Sequence, residues 1–305
     1  MPNTVNKFQK YIDRLDTVYK QSSKSGVLDG DNSLVQMSAN AGEWKIPMYD
    51  MDGLGDYDRN AGYAQGSVSI TFQTKQCDYD RGRKFTVDAM DNEETAGLLF
   101  GKLASEFIRT KVVPELDAYR FAKLAAGAGT SANGDLLNGK AVLNAIREGK
   151  TVMQNNEVDL DNLVLFIDPG LRGVVQDIDT TVSKEVMSSF SQVIEVPRNR
   201  FYTGITLLDG TSENELAGGF TPAVGAYPIN FLMVDKSAVI QFQKHVVSKV
   251  IEPKDNQSSD GYLFFYRAYG IADHYNNKVK GIYLHRGNTA VPEPETETEG
   301  QEGNS

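Results

Sequence analysis

Cysteine is almost missing from this chain of 305 residues, with Cys77 as the one thiol. An intrachain disulfide framework and a cysteine-based zinc site are therefore excluded, and a lone thiol in an alternating strand serves as a small apolar filler. Histidine is nearly as scarce. His245, His274 and His285 are the three present, and no two stand at a ligand spacing such as i, i+4 on a helix. There is no G-x-S-x-G elbow. No run of roughly 18 apolar residues occurs, and the start, MPNTVNKFQK, has no apolar h-region, so neither a membrane span nor a signal peptide is expected. Synthesis and folding in the cytoplasm follow from that reading. A basic surplus is lacking as well. The formal net charge is −10, which argues against simple nonspecific nucleic-acid binding.

What is present begins with size: 305 residues that are 40% hydrophobic can bury one large core or two moderate ones. Half of the excess negative charge is local. VPEPETETEGQEGNS carries Glu293, Glu295, Glu297, Glu299 and Glu302 with no base, and its composition predicts a disordered acidic tail. The other end has the opposite sign, because Lys7, Lys10, Arg14, Lys20 and Lys24 outnumber Asp13 and Asp16. There Phe8, Tyr11, Ile12, Leu15, Val18 and Tyr19 fall at helical spacing, which predicts a short amphipathic helix. Either its charges form a solvated face, or the segment is an arm that docks its apolar stripe on another subunit and turns its bases toward nucleic acid.

Two alternating runs follow. In EWKIPM, Trp44, Ile46 and Met48 alternate with polar positions, and in GSVSITFQ, Val68, Ile70 and Phe72 do the same. Both carry the period of two expected of a half-buried antiparallel pair. Between them lies YDMDGLGDYDRNAGYAQG, far longer than an ordinary hairpin loop of about 2 to 5 residues. A long hairpin arm reaching away from its own core is the economical reading. The stretch after it, DYDRGRKFTVDAMDNEET from Asp78, mixes four aspartates and two glutamates with Arg81, Arg83 and Lys84. Salt bridges among these charges and a capping box, Asp91 with Glu94, predict a structural junction rather than a catalytic site.

From Asp91 the pattern is helical to Ala126, with Leu99, Leu103 and Phe107 at i, i+4, i+8 as the buried side and Pro114 positioned to kink or split the helix. Such a helix would be a spine on the order of 50 Å long. GAGTSANGDLLNG reads as a breaker-rich link, and KAVLNAIREGKTVMQ as a second helix. The rest is mixed α/β: LVLFI, PGLRGVVQDI, ITLLDG, INFLMV and SAVIQFQ are short apolar runs suited to strands buried on both faces. HVVSKVI and YLFFYRAYG flank the polar EPKDNQSSDG as a hairpin with a mobile tip, and KVKGIYLHR closes the pattern.

Two stretches approach chemical motifs. GDLLNGKA, Gly134 to Ala141, fits G-x-x-x-x-G-K but has Ala141 where magnesium needs a hydroxyl, and a helix rather than a strand is expected before it. A nucleotide-binding enzyme built on Gly134 to Lys140 is the rival from another class. DMDGLGDYDRNA places Asp50, Asp52 and Gly55 as a calcium loop requires, but Leu54 and Ala61 stand where oxygen ligands belong, and LDGDNSL from Asp29 fails in the same way. A weak or partner-supplied cation site in the hairpin loop stays open. No cofactor, resident metal or catalytic residue is expected, and the chain is read as no enzyme.

The order of features, an amphipathic N-terminal arm, a long hairpin, DRGRKFTVDAMDNEET, a spine helix with VVPELDAYR, then LVLFIDPGLRGVV and INFLMVDKSAVI, resembles the major capsid proteins of tailed bacteriophages, which share the Hong Kong 97-type fold. The resemblance runs from about residue 5 to 287. It implies an α+β chain with an N-arm (1–35), an E-loop (36–85), a peripheral domain with the spine helix (86–150 and 241–269), an axial domain (151–240 and 270–287) and the tail (288–305). It further implies a structural subunit that assembles with itself through pentamers and hexamers into an icosahedral head around double-stranded DNA, which it touches nonspecifically at the inner surface. The place of action is then the virion, with host cytoplasm during assembly. An encapsulin-like nanocompartment shell is the alternative within the fold.

Intersubunit contacts are implied for the E-loop at Asp52, Leu54, Asp56, Tyr57, Asp58, Arg59 and Asn60, for the N-arm at Phe8, Tyr11, Ile12 and Leu15, and for a threefold hairpin at Lys254, Asp255 and Asn256. Asp91, Glu94, Leu99, Leu103 and Phe107 cap and seat the spine. The family admits scaffolding, portal and decoration proteins as partners and involves no membrane. Because the chain begins at Met1 only a few residues before the arm, a separate scaffold or none is expected. No lysine lies between Lys45 and Lys75, so a noncovalent shell is expected, without the E-loop lysine crosslink of some relatives.

Overall fold

The protein was analysed as a computed structural model, which describes residues 23–30, 36–37, 43–60, 62–88, 90, 98–178, 180–257 and 259–293. The N-arm residues Phe8, Tyr11, Ile12 and Leu15, the proposed cap Asp91–Glu94, the side chain of Leu99 and the tail beyond Glu293 lie outside the described residues.

Two short, mainly apolar runs set the centre. LVLFI forms β6 (Leu163–Ile167) and INFLMVD forms β10 (Ile229–Asp235), and every residue of both is buried. They pair antiparallel, Phe231 opposite Ile167 and Val234 opposite Val164. Around them a five-stranded sheet runs in the order β5 (Thr130–Asn133), β13 (Ile282–Arg286), β10, β6, β7 (Gln192–Glu195). Alternate side chains of a strand point to opposite faces, so such strands need cover on both. On one face Val164, Phe166, Leu232 and Val234 meet Phe121 and Leu124 of the helix Val113–Ala126, with Leu28 and Phe201. On the other, Leu165, Ile167, Phe231 and Met233 meet Val142, Ile146 and Met153 of the helix Gly139–Asn155.

The spine is two helices joined by a wider turn: α1 (Leu98–Phe107), a π-helical turn (Ile108–Val112) and α2 (Val113–Ala126). Pro114 stands in the first turn of α2, where its missing N–H costs nothing within α2 but cannot bond back to the preceding turn. The expected split thus falls at Pro114. The expected inner face needs correction. Ala104 and Ile108 are buried among Tyr79, Phe264, Tyr266 and Ala268, Phe107 is partly buried against the same group, and Leu103 is half-buried and takes no part in it. The i, i+4 pair that centres the inner face is Ala104–Ile108, one position round the helix from Leu103–Phe107.

A second sheet covers the spine. Its order is β11 (Val239–Ile251), β12 (Gly261–His274), β4 (Tyr79–Asp88), antiparallel throughout. SAVIQFQ and HVVSKVI, two strands by sequence, form the one strand β11, with a bulge between Gln243 and His245 where the alternation slips. PGLRGVVQ is not a strand but a helix, α4 (Pro169–Gln176), after the helix α3 (Gly139–Asn155). Asp168 caps α4 by accepting from the Gly170 N–H, and Pro169 occupies its first turn. ITLL forms β8 (Ile205–Leu208), which is not buried on both faces but makes a two-stranded ribbon with β9 (Gly219–Pro222). The link GAGTSANGDLLNG contains β5, whose polar TSAN shows no apolar period because it is an edge strand paired in parallel only with β13. A last helix, α5 (Thr181–Ser188), carries a capping box between Thr180 and Ser183.

Candidate assembly surfaces

The hairpin arm is an antiparallel ribbon of β2 (Glu43–Met51) and β3 (Val68–Gln76), with the two-residue β1 (Gln36–Met37) beside β2 at its base. The base is anchored: Trp44 and Ile46 pack on Ile240, Phe242 and Ile271, the Trp44 indole N–H points at Cys77 Sγ, and Lys75 Nζ lies 2.8 Å from Asp273. Beyond Ile46 the register corrects the half-buried reading. Pro47 faces Phe72, Tyr49 faces Ile70 and Met51 faces Val68, so the apolar residues of β3 share a face with Pro47, Tyr49 and Met51, not with Trp44 and Ile46. Tyr49, Met51, Val68, Ile70 and Phe72 are between 54% and 69% exposed. A contiguous apolar face of this kind on a projecting ribbon marks an interaction surface.

At the tip, Leu54, Tyr57 and Tyr63 are exposed and the Tyr57 and Tyr63 rings meet edge to face at 4.9 Å. The carboxylates there serve the loop itself. Asp52 accepts from the Ser67 N–H at 2.7 Å and Asp58 from the Asn60 N–H at 2.6 Å, which turns the chain at Asp58–Asn60. Asp56 and Arg59 are exposed beside them. The structure therefore brings Asp52, Leu54, Asp56, Tyr57, Asp58, Arg59 and Asn60 together on one exposed tip.

The junction DYDRGRKFTVD is β4, and its charges pair with other elements rather than with one another. Arg81 Nε donates to Glu115 of α2 at 2.8 Å and its Nη2 to the Leu208 carbonyl at 2.7 Å. Arg83 holds the β8–β9 loop through the Gly210 and Leu216 carbonyls, where Gly210 has φ +71. Asp80 takes a bidentate bond from Arg267 of β12, and Asp78 accepts from Tyr119 and Lys123. Burial, with the charge of Glu115 adding to it, pushes the Tyr79 hydroxyl well above its ordinary value, so it stays a donor to Glu115. Antiparallel pairing set this outcome, since it places β4 beside β12 and over α2. The outer face of the same sheet carries a shallow groove floored by Phe265 and Ile251 and rimmed by Lys84, Lys249 and Arg267, with Lys84 Nζ 5.8 Å from the Phe265 ring centre.

One polar cluster had no sequence signal beyond charged letters inside the apolar run VPELDAYRFAKL. Asp117, fully buried, accepts from Ser23 Oγ, Lys24 N, Ser25 N and Ser25 Oγ and pairs with Arg200 Nη1 at 3.0 Å. Arg120, 1% exposed, donates to Ser25 Oγ and pairs with Asp29, and Gln241 Nε2 donates to the Ser25 carbonyl. These contacts fix where the N-terminal segment leaves the body.

The late hairpin joins β11 to β12 through Pro253–Asp255, with Lys254 and Asp255 exposed; Lys254 pairs with Glu252, and Asn256 donates to the Gly261 carbonyl to close the turn. The rival sites dissolve into packing. Gly134 to Lys140 follows strand β5, not a helix as expected. Asn138 nevertheless occupies the start of α3 by accepting from the Ala141 N–H, and a Cβ on Gly139 would stand 2.1 Å from the Val174 carbonyl oxygen, so this glycine serves helix packing. Asp29 is spent on Arg120 and Gln241. His285 stacks on Phe231 at 4.8 Å, and burial lowers its pKa; Asn230 Nδ2, which also donates to Gly134, lies 3.1 Å from its Nδ1. Among the described residues no group of three or more His, Cys, Asp or Glu could hold a metal, and no helix is long and apolar enough to cross a membrane.

A hairpin arm at one end, a spine under a long sheet and a two-faced α/β core define a chain of the Hong Kong 97-type capsid fold, α+β in class. Comparison with solved structures gives that fold directly. The bacteriophage PhiM1 mature capsid is similar with TM-score 0.58 over 83% of this chain and 84% of that one, at 10% identity. A structure described as Mycobacterium phage Che8 gives 0.56 over 85% and 89%, and a virus-like particle from Pyrococcus furiosus 0.54 over 92% and 100%, each also at 10%. No protein-family model and no curated protein matches the sequence.

Proposed function

We propose that this chain is the major capsid protein of a tailed double-stranded DNA bacteriophage, a structural subunit without catalytic activity that assembles with itself through pentamers and hexamers into an icosahedral head. The observation that carries the proposal is the ribbon, an arm with its apolar face and tip turned away from its own core, in a fold shared by phage capsids. Such a surface is stable in water only when another surface covers it, and closed shells are built by repeated self-contact. In this reading the ribbon is the E-loop; β4, expected within 36–85, joins β11 and β12 over α1 and α2 in the peripheral domain, and β5 and α3, expected in the peripheral 86–150, join the five-stranded sheet with α4 and α5 in the axial domain. The ribbon tip of one copy, with Leu54, Tyr57, Asp56 and Asp58, seats on the basic, apolar-floored groove at Phe265 of the next. Lys254, Asp255 and Asn256 at the late hairpin face the threefold contacts, and DNA touches the inner surface nonspecifically. Scaffolding, portal and decoration proteins are further partners of such a head.

Electron microscopy and sedimentation of the protein produced alone test the reading. Megadalton shells or capsomer rings are expected, and a stable monomer over a wide concentration range would overturn it. An encapsulin-like shell is the second reading, favoured by the full-length likeness to the Pyrococcus furiosus particle. Nuclease-protected DNA inside particles from infected cells separates the two, since a nanocompartment would hold protein cargo instead.

A further inference from the structure

We propose that residues 23–30 form a latch that sets how firmly the β2–β3 ribbon is rooted, acting through the first residues of β11. The start of β11 is gripped on both faces, because alternate side chains of a strand point to opposite sides. Val239 and Gln241 face the latch: Val239 shares a buried group with Leu28, and Gln241 Nε2 donates to the Ser25 carbonyl at 2.8 Å and to Asp29 Oδ1 at 3.0 Å. Ile240 and Phe242 face the other way and hold Trp44 and Ile46 of the ribbon base. The edge is taken as well. Among the described strands β11 pairs with β12 alone, and the Gly30 N–H donates to the Gln241 carbonyl at 3.1 Å, where an inner strand would have a neighbour. The facing stretch of β12 closes the circuit. Asp273, opposite Ile240, pairs with Lys75 of β3, and Gln73 Nε2 of β3 donates to the His274 carbonyl.

The grip of the latch on Gln241 is polar and incompletely satisfied. Asp117 and Arg120 of α2 hold Ser25, and Arg120 pairs with Asp29, yet Gln241 Oε1 is buried with no hydrogen-bond partner among the described residues. A buried acceptor left unpaired offsets part of what the donors contribute, so the latch can loosen at Gln241 while Leu28 keeps its place in the core. Loosening withdraws three hydrogen bonds from one residue of β11, and its two neighbours are the footing of the ribbon. Coupling of this kind is reciprocal: fixing the ribbon tightens the latch, and drawing the latch away loosens the ribbon. It holds in the isolated subunit and leaves the apolar face of the ribbon open.

Amide hydrogen exchange in the full-length chain tests it. Ser25→Ala removes the hydroxyl that joins Asp117 to Arg120. It is expected to speed exchange at the ribbon base, residues 44–46 and 72–76, by about fivefold while β6 and β10 keep their rates. Gln73→Ala, made at the ribbon base, is expected to speed exchange in residues 23–30 by a similar factor. Thr180→Ala, which removes the cap of α5, is the control and should change neither region. Ribbon-base exchange that is unchanged in Ser25→Ala, or that rises by the same factor in β6 and β10, would overturn the proposal, as would residues 23–30 that do not respond to Gln73→Ala. Should Ser25→Ala fail to fold, Asp29→Asn at the more exposed end of the latch is read in the same way, with about a twofold rise expected and an unchanged ribbon base counting against the latch.

Discussion

Among the described residues Asp117 carries a heavy polar load. Its carboxylate sits at zero exposure and gathers two backbone N–H groups, two serine hydroxyls and Arg200. Removing one partner from a buried ion pair leaves the other charge without compensation, at a cost of about 3–5 kcal/mol. Asp117→Ala is expected to lose that much in urea unfolding, and Asp117→Asn less, because an amide oxygen still accepts. Asp273 governs the ribbon base in a different way. Burial raises its pKa, but hydrogen bonds from His274 and Lys75 outweigh that and bring it from 3.8 to about 2. A depressed folded pKa means that the unfolded chain binds the proton first, so the contribution is complete above about pH 4 and is lost as the pH falls toward 2. The expected result is an acid-dependent loss of stability in that window that is smaller in Asp273→Asn than in the parent chain, read from unfolding midpoints at pH 5 and near the lower end.

Among elements, the spine shows what a substitution can reveal. Ile108 is 2% exposed in the group with Tyr79, Phe264 and Tyr266, whereas Leu103 is half-buried and outside that group. Ile108→Asp should destabilise the subunit by about 4 kcal/mol, since it buries an unpaired charge, and Leu103→Asp by about 1. Equal melting temperatures for the two would refute the assigned face. Elements with an unbroken period were legible in the sequence. LVLFI and INFLMV are strands because each is a short, nearly continuous apolar run, broken once by Asn230, and the α3 segment is a helix because its apolar residues recur on one side. The edge strand TSAN, by contrast, owes its form to β13, some 150 residues away, and β4 to β12. Local pattern does not contain a partner that remote.

For the whole molecule, the order of arm, spine and α/β core was readable because each part has its own period, and the capsid fold came with that order. The candidate assembly surface was readable only in outline. Alternation tells which residues of a strand share a face, but the pairing register decides which strands' faces coincide, and it turned Val68, Ile70 and Phe72 outward with Tyr49 and Met51. In the proposed assembly, deleting residues 52–62 should leave folded capsomers and impair closure of the shell, as seen by electron microscopy; closed particles of normal size would show the tip to be dispensable. The chain's one tryptophan sits where the ribbon meets the body, Trp44 at 7% exposure, edge-on to Phe242 at 5.0 Å and bonded to the one thiol. Tryptophan emission from this protein is therefore emission from a single joint. A rearrangement that lifts the arm would carry the indole from this apolar setting into water and red-shift its emission, so Trp44 serves as a built-in reporter of the joint between arm and body.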